Sequence, residues 1–334
     1  MTPAAAAPVF LASIALMLAA SALFAARLDR IGLRLGMPET VLGVLTALAT
    51  DAPEISSAIS ALVLHEHGVA VGVVVGSNAF NIAAMLGVSA ILTARVRARH
   101  EALELEGFVA LWVVAVACAV FADAFSQVVG LVLVAVVTVP YVALLAVGPR
   151  LTQWLPLGVR PLRFLRRSFG EPHRRERSID SHREIARVVL LLLVALGLIV
   201  AGSALAVHSA IDLAHAWSVP ELYVGVFVLS ILTSLPEAWT GIRFGLQGRG
   251  SALMSDTLNS NSINVVAGIA IPAALGSFAG IGFSSLALFD LVWLLVMTTA
   301  AIVLFGRHGG AGRMAGWFLI GLYAIFVAVQ VLNS

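Results

Sequence analysis

Apolar runs of about 18 to 25 residues, each long enough to cross a hydrocarbon core of about 30 Å as a helix, follow one another along this 334-residue chain. In lipid, only helices and closed barrels satisfy every backbone N–H and C=O, so runs of this length commit the chain to helices. Composition agrees: 60% of the residues are hydrophobic and 11% charged, against about 25% charged in a soluble domain. An all-α membrane protein is expected, with no room for a sizeable water-soluble domain. The single cysteine, Cys118, lies inside an apolar run and excludes both an internal disulfide and a cysteine-built metal cluster. The first run has no positive charge before it and Arg27 directly after it, which argues against a cleavable signal peptide.

About ten helices are expected, at 8–26, 40–64, 69–92, 105–122, 128–147, 188–207, 219–242, 251–275, 284–305 and 316–332. The longest polar stretch, 148–187, reads as a basic linker between a first five-helix unit at 1–147 and a second at 188–334. All twenty basic side chains are arginine, and they fall in alternate loops. Arg27, Arg30 and Arg34 follow the first helix, Arg95, Arg97 and Arg99 the third, and ten arginines lie in the linker. Arg243 and Arg249 follow the seventh helix, and Arg307 and Arg313 the ninth. The remaining loops and both termini have none. Positively charged loops stay cytoplasmic, so the linker is expected inside and both termini outside, in a bacterial-type inner membrane. The basic balance is then a topology signal, and no nucleic-acid partner is implied.

Five helices per half is an odd number, so the second half must be inverted relative to the first, the plan of many secondary transporters. An ungapped shift of 183 residues superimposes Thr50, Pro53 and Glu54 on Thr233, Pro236 and Glu237. The same shift superimposes Ser77, Asn78 and Asn81 on Ser260, Asn261 and Asn264. These are polar or helix-breaking residues, which shared apolar composition does not align.

The second helix carries Thr50-Asp51-Ala52-Pro53-Glu54 and the seventh Thr233-Ser234-Leu235-Pro236-Glu237, each near mid-helix. Threonine and glutamate lie one turn apart on one face. Proline has no N–H to donate, so the carbonyls of Ala49 and Leu232 are expected to be free. Carbonyl, hydroxyl and carboxylate oxygens at one depth are the ligands that hard cations take. On the third and eighth helices, Ser77 with Asn81, and Asp256 with Ser260 and Asn264, can complete the shell, while Gly72 and Gly76 allow close helix approach. A charge near the membrane centre costs at least about 2.5–3.5 kcal/mol on insertion scales. The four acids Asp51, Glu54, Glu237 and Asp256 therefore call for a counter-charge, either a cation or protons.

These paired segments, TDAPE with GSNAFN and TSLPE with NSNSIN, resemble the two repeats of the calcium:cation antiporter superfamily, closest in look to the sodium/calcium exchangers. That family reads near GTSxPE and GNxxGSNxxN. The resemblance covers 40–92, 222–275 and the ten-helix layout. It implies that Glu54, Glu237, Thr50, Thr233, Ser234, Ser77, Ser260, Asn81 and Asn264 bind transported Ca2+ and Na+, with no further cofactor. The sequence departs from that pattern at several places. Asp51 stands where the family has serine, Ala49 and Leu232 replace glycines, and Asn264 stands where some calcium-selective members have aspartate. Asp256 occupies the position matching Val73.

Calcium-for-sodium antiport by alternating access is the expected function. Two carboxylates as close as Asp51 and Glu54 disfavour double ionisation, which keeps exchange for protons as the alternative. A membrane-embedded enzyme lacks support, since no HExxH or GxSxG motif and no intramembrane histidine occurs. A passive channel commonly builds its pore from a ring of subunits, whereas inverted halves within one chain suit a transporter. Outside the site, Asn78 and Asn261 read as helix-packing residues, and His65-Glu66-His67 as a solvated outer turn. Glu101, Glu104 and Glu106 read as a solvated face, and Asp290 as interfacial.

Overall fold

The computed structural model describes residues 2–35, 47–154, 182–220, 223–277, 285–307 and 310–332. Ten helical segments follow in chain order: α1 (Pro3–Leu35), α2 (Ala52–Val63), α3 (His67–Thr93), α4 (His100–Phe121) and α5 (Gln127–Trp154). The second half repeats the series as α6 (His182–Trp217), α7 (Val224–Leu246), α8 (250–274), α9 (Ser285–Phe305) and α10 (Arg313–Leu332). Each expected helix has its counterpart. The sixth runs to Trp217, beyond the expected end at 207, and carries His208 and His215 as exposed groups on its last turns. Helix also occupies 148–154 and 182–187 of the expected linker, and the rest of it, 155–181, lies outside the described residues. The start of the expected second helix, 40–46, lies outside them too.

Among the described residues, seven helices are long and apolar enough to cross a membrane, with shorter apolar helices at Ala52–Val63 and Gln127–Ala143. The stretch left over is α8, whose sequence SDTLNSNSIN puts eight polar side chains within ten residues. Its polarity is tolerable because it faces protein: Thr257, Ser260, Asn261 and Asn264 are all buried.

Helices α2, α3, α7 and α8 pack on one another and form the centre, with α1 against α6 on one flank and α4, α5, α9 and α10 around the other. Of the most apolar stretch of α3, 89% is buried, against 22% for α6. The leucines and valines of α6 and α5 stay exposed in long rows, including Leu190, Leu193, Val132 and Val136, as a lipid-facing surface requires. Contact between α3 and α7 is close enough to demand glycine: a Cβ on Gly76 would lie 2.6 Å from the Val226 carbonyl oxygen. The small-residue face expected there is borne out at Gly76.

Two features tie the halves together. Asn78 donates to the Asn261 carbonyl at 3.0 Å, and Asn261 donates back to the Asn78 carbonyl at 3.3 Å. Reciprocal pairing of residues 183 apart is the signature of a two-fold relation, here between repeats of one chain. At one end of the molecule, β1 (Arg95–Val96) pairs antiparallel with β2 (Ala311–Gly312). Arg99 N–H donates to Ser251 Oγ at the same end. The arginine-bearing turns after α3, α7 and α9 therefore gather on one face. The arginine-free turns before α3 and after α8 meet on the other, where His67 Nε2 lies 2.8 Å from the Ser277 carbonyl.

Candidate cation-binding site

Backbone geometry brings the polar segments together. Residues 47–50 are helical, Asp51 forms a bend, and α2 begins at Ala52 with Pro53 in its first turn. The Ala49 carbonyl freed by Pro53 is not left bare. Ser21 Oγ of α1 donates to it at 3.3 Å, which corrects the expectation of a free oxygen there. In α3 the helix loosens to π-helical geometry over Ile82–Gly87, immediately after Asn81, and α8 does so over Val266–Ala270, soon after Asn264. Such bulges are frequent at functional sites.

The acids meet at this level. Asp51 and Glu54 are 0% exposed and Glu237 1%. Each has one carboxylate oxygen occupied by a donor from another helix. Ser234 Oγ donates to Glu54 Oε1 at 2.9 Å, Asn81 Nδ2 to Glu237 Oε2 at 2.7 Å and Ser260 Oγ to Asp51 Oδ1 at 2.8 Å. The second oxygen of each, Glu54 Oε2, Glu237 Oε1 and Asp51 Oδ2, is buried without a hydrogen-bond partner. So are the amide oxygens Asn81 Oδ1 and Asn264 Oδ1, the Nδ2 of Asn264 being spent on Asn78 Oδ1 at 3.2 Å. A buried unpaired acceptor costs roughly 1–3 kcal/mol, and more when charged. Five such acceptors lie on the central helices or at their start.

Hydroxyls add further donors of electron pairs. Thr50 Oγ1 donates to the Ala47 carbonyl, Thr233 Oγ1 to Ser230 and Ser77 Oγ to Val74, at 2.9, 3.2 and 3.0 Å. A hydroxyl whose proton goes to its own helix keeps its lone pairs for another partner. Among the described residues no group of three or more His, Cys, Asp or Glu side chains forms a metal cluster. Convergence here is of carboxylate, amide and hydroxyl together, the mixed oxygen set of calcium and sodium ligation. Asp51 lies within Coulombic reach of Glu237, Glu54 and Asp256. Asp256 is half-buried, with Oδ2 unpartnered.

Asn78 and Asn261 pack the repeats, as their sequence setting suggested. Two other acids differ from expectation. Glu106 is half-buried and accepts from Ser255 Oγ at 2.6 Å, within a chain that continues through Asn259 to the Tyr141 hydroxyl. Its position six residues into α4 could have warned of this, because a face turns inward within two turns. Glu104 is solvated beside His100, and the Glu101 side chain lies outside those described. Asp290 is 0% exposed and accepts from Gln330, so it is internal and not interfacial.

A family model described as sodium/calcium exchanger protein matches residues 5–147 and 187–332. The chain belongs to that family. It is a transporter of the cation/calcium exchanger type and not an enzyme. Among curated relatives, the inner membrane protein YrbG of Escherichia coli is 27% identical over 301 residues, covering 88% of this chain and 87% of its own. Among solved structures, the sodium-calcium exchanger NCX_Mj superposes with a TM-score of 0.61 at 22% identity, covering 97% of both chains. The H+/Ca2+ exchanger CAX superposes with a TM-score of 0.76 at 15% identity, covering 97% of this chain and 82% of its own. Both likenesses establish the fold: about ten helices in two repeats.

Proposed function

We propose that this chain exchanges Ca2+ for Na+ across the membrane by alternating access through the site around Glu54 and Glu237. The observation that carries the reading is the buried, unpartnered set of acceptor oxygens contributed by α2, α3, α7 and α8. Glu54, Glu237, Asp51, Thr50, Thr233, Ser234, Ser77, Ser260, Asn81, Asn264 and Asp256 are the candidate ligands or their supports. A single site that must release one ion before taking the other enforces exchange. Coupling then needs only that the two ions favour different states of the protein. The four central helices hold the ion, while the flanking helices, richer in lipid-facing surface, move against them.

A second reading, calcium for protons, is favoured by one feature. Asp51 stands where the other repeat has Ser234, so the site holds a carboxylate beyond the symmetric pair. The two readings separate in one experiment. Calcium uptake by vesicles is compared under an imposed sodium gradient and an imposed pH gradient. Uptake driven by sodium and unaffected by the pH gradient is the expected result; the opposite outcome replaces sodium with protons. The arginine-bearing face is assigned to the cytoplasm of a bacterial inner membrane, with the termini outside and units at 1–147 and 188–334 joined by 148–187. Reporter fusions to the C-terminus test that orientation.

A further inference from the structure

One buried acid takes no part in the cation pocket. Asp290 of α9 is 0% exposed and Gln330 of α10 is 1% exposed. Gln330 Nε2 donates to Asp290 Oδ1. The remaining polar atoms of the two side chains, Asp290 Oδ2 and Gln330 Oε1, are buried without a hydrogen-bond partner. The backbone carbonyl of Gln330 accepts from the Tyr223 hydroxyl at 2.6 Å, which ties in the residue just before α7. All three residues lie toward the arginine-free ends of their helices. At the 183-residue offset stand Gly107 and Val147, so the pair has no counterpart in the first repeat.

We infer that Asp290 is a proton-binding site separate from the cation pocket: its carboxyl is held un-ionised, accepting from the Gln330 amide through Oδ1 and donating through Oδ2 to Gln330 Oε1. A carboxylic acid and a primary amide match donor to acceptor at both positions, so one proton closes a ring of two hydrogen bonds and satisfies both orphaned oxygens. An ionised carboxylate would leave both acceptors bare and add a buried charge, which costs far more than burying the neutral acid. A metal ion answers poorly, because calcium takes about six to eight oxygens and this pair offers two. The helices packed against α9 bring few other titratable groups. On α4 these are His100, Glu104 and Glu106 at its arginine-bearing end and Cys118 toward the other; α3 brings His67, and α10 brings Arg313 and Tyr323. Among the described residues, Gln330 is the one side chain that acts on Asp290. The closed ring fastens α9 to α10 and, through Tyr223, to the end from which α7 sets out toward Thr233, Ser234 and Glu237.

Infrared difference spectroscopy of the purified full chain in detergent tests the site. Subtracting the spectrum of Asp290→Asn from that of the unmodified chain at neutral pH is expected to isolate the carbonyl band of one un-ionised carboxylic acid, shifted downward in heavy water. Asp290→Asn keeps the ring, since an amide offers Gln330 the same acceptor and donor. Gln330→Leu strips the acid of its partner and should move that same band to higher frequency, a readout that does not depend on the first variant folding. The inference is overturned if the difference spectrum shows the paired stretches of an ionised carboxylate in place of the acid band. It is overturned equally if Gln330→Leu leaves every acid band where it was.

Discussion

The second helix of each repeat carries the same threonine, proline and glutamate, yet the two backbones accommodate the proline differently. In the first repeat the chain bends at Asp51 and restarts, so that Pro53 falls in the first turn of α2. A proline in a first turn is tolerated, because its fixed φ already suits the start of a helix. In the second repeat Pro236 sits inside a helix that runs unbroken from Ser230 to Leu246, where an interior proline costs about 3 kcal/mol or more. A π-helical segment, Val224–Leu229, leads directly into that helix. The motif is thus repeated while the scaffolds are not: one half is jointed at the motif, the other carries its proline within a continuous rod.

The largest effect expected is at the residues the halves share. Glu54→Gln or Glu237→Gln should each lower calcium exchange in vesicles at least about 100-fold, since each removes a buried carboxylate that a cation needs. Normal exchange in both variants would break the comparison at its root. Next come the serines that the halves use differently. Ser260→Ala should lower calcium affinity about tenfold by leaving Asp51 without its donor, while Ser77→Ala, which loses only a bond to its own helix, should change it little. Equal losses would mean that the asymmetry of contacts has no energetic content.

The prolines themselves give a smaller, opposite-signed test. Pro236→Ala should raise the melting temperature in detergent, by relieving a helix interior worth up to about 3 kcal/mol. Pro53→Ala should leave it nearly unchanged. The reciprocal pair should show the smallest effect. Asn78→Ala and Asn261→Ala should each cost about 0.6 kcal/mol of stability, as interhelical hydrogen bonds in membranes do. Their double mutant should lose close to the sum, because each side chain donates to the other's backbone carbonyl, which truncation leaves in place.

Most of the architecture was legible in the sequence because two independent signals coincide. Apolar runs set the helices, and arginines in alternate loops set their count, which the gathering of the turns at Arg95, Arg99 and Gly312 bears out. The site segments were legible because proline and asparagine recur at one offset in a composition that does not favour them. What escaped was anything decided by a partner from outside the motif. Nothing at Ala49 announces that Ser21, twenty-eight residues earlier, will take its carbonyl. Nothing near Glu106 announces Ser255. The ends of α6 escaped for another reason, since a helix that overshoots the bilayer is no longer bounded by hydropathy.

The small ribbon between Arg95–Val96 and Ala311–Gly312 clasps the tail of α3 to the head of α10. Any rearrangement that opens a path to the ion must carry these two ends together or unfasten the clasp. The rim bearing the arginines is therefore stitched across the repeats at this corner. A gate on that side has to swing about the clasp rather than through it.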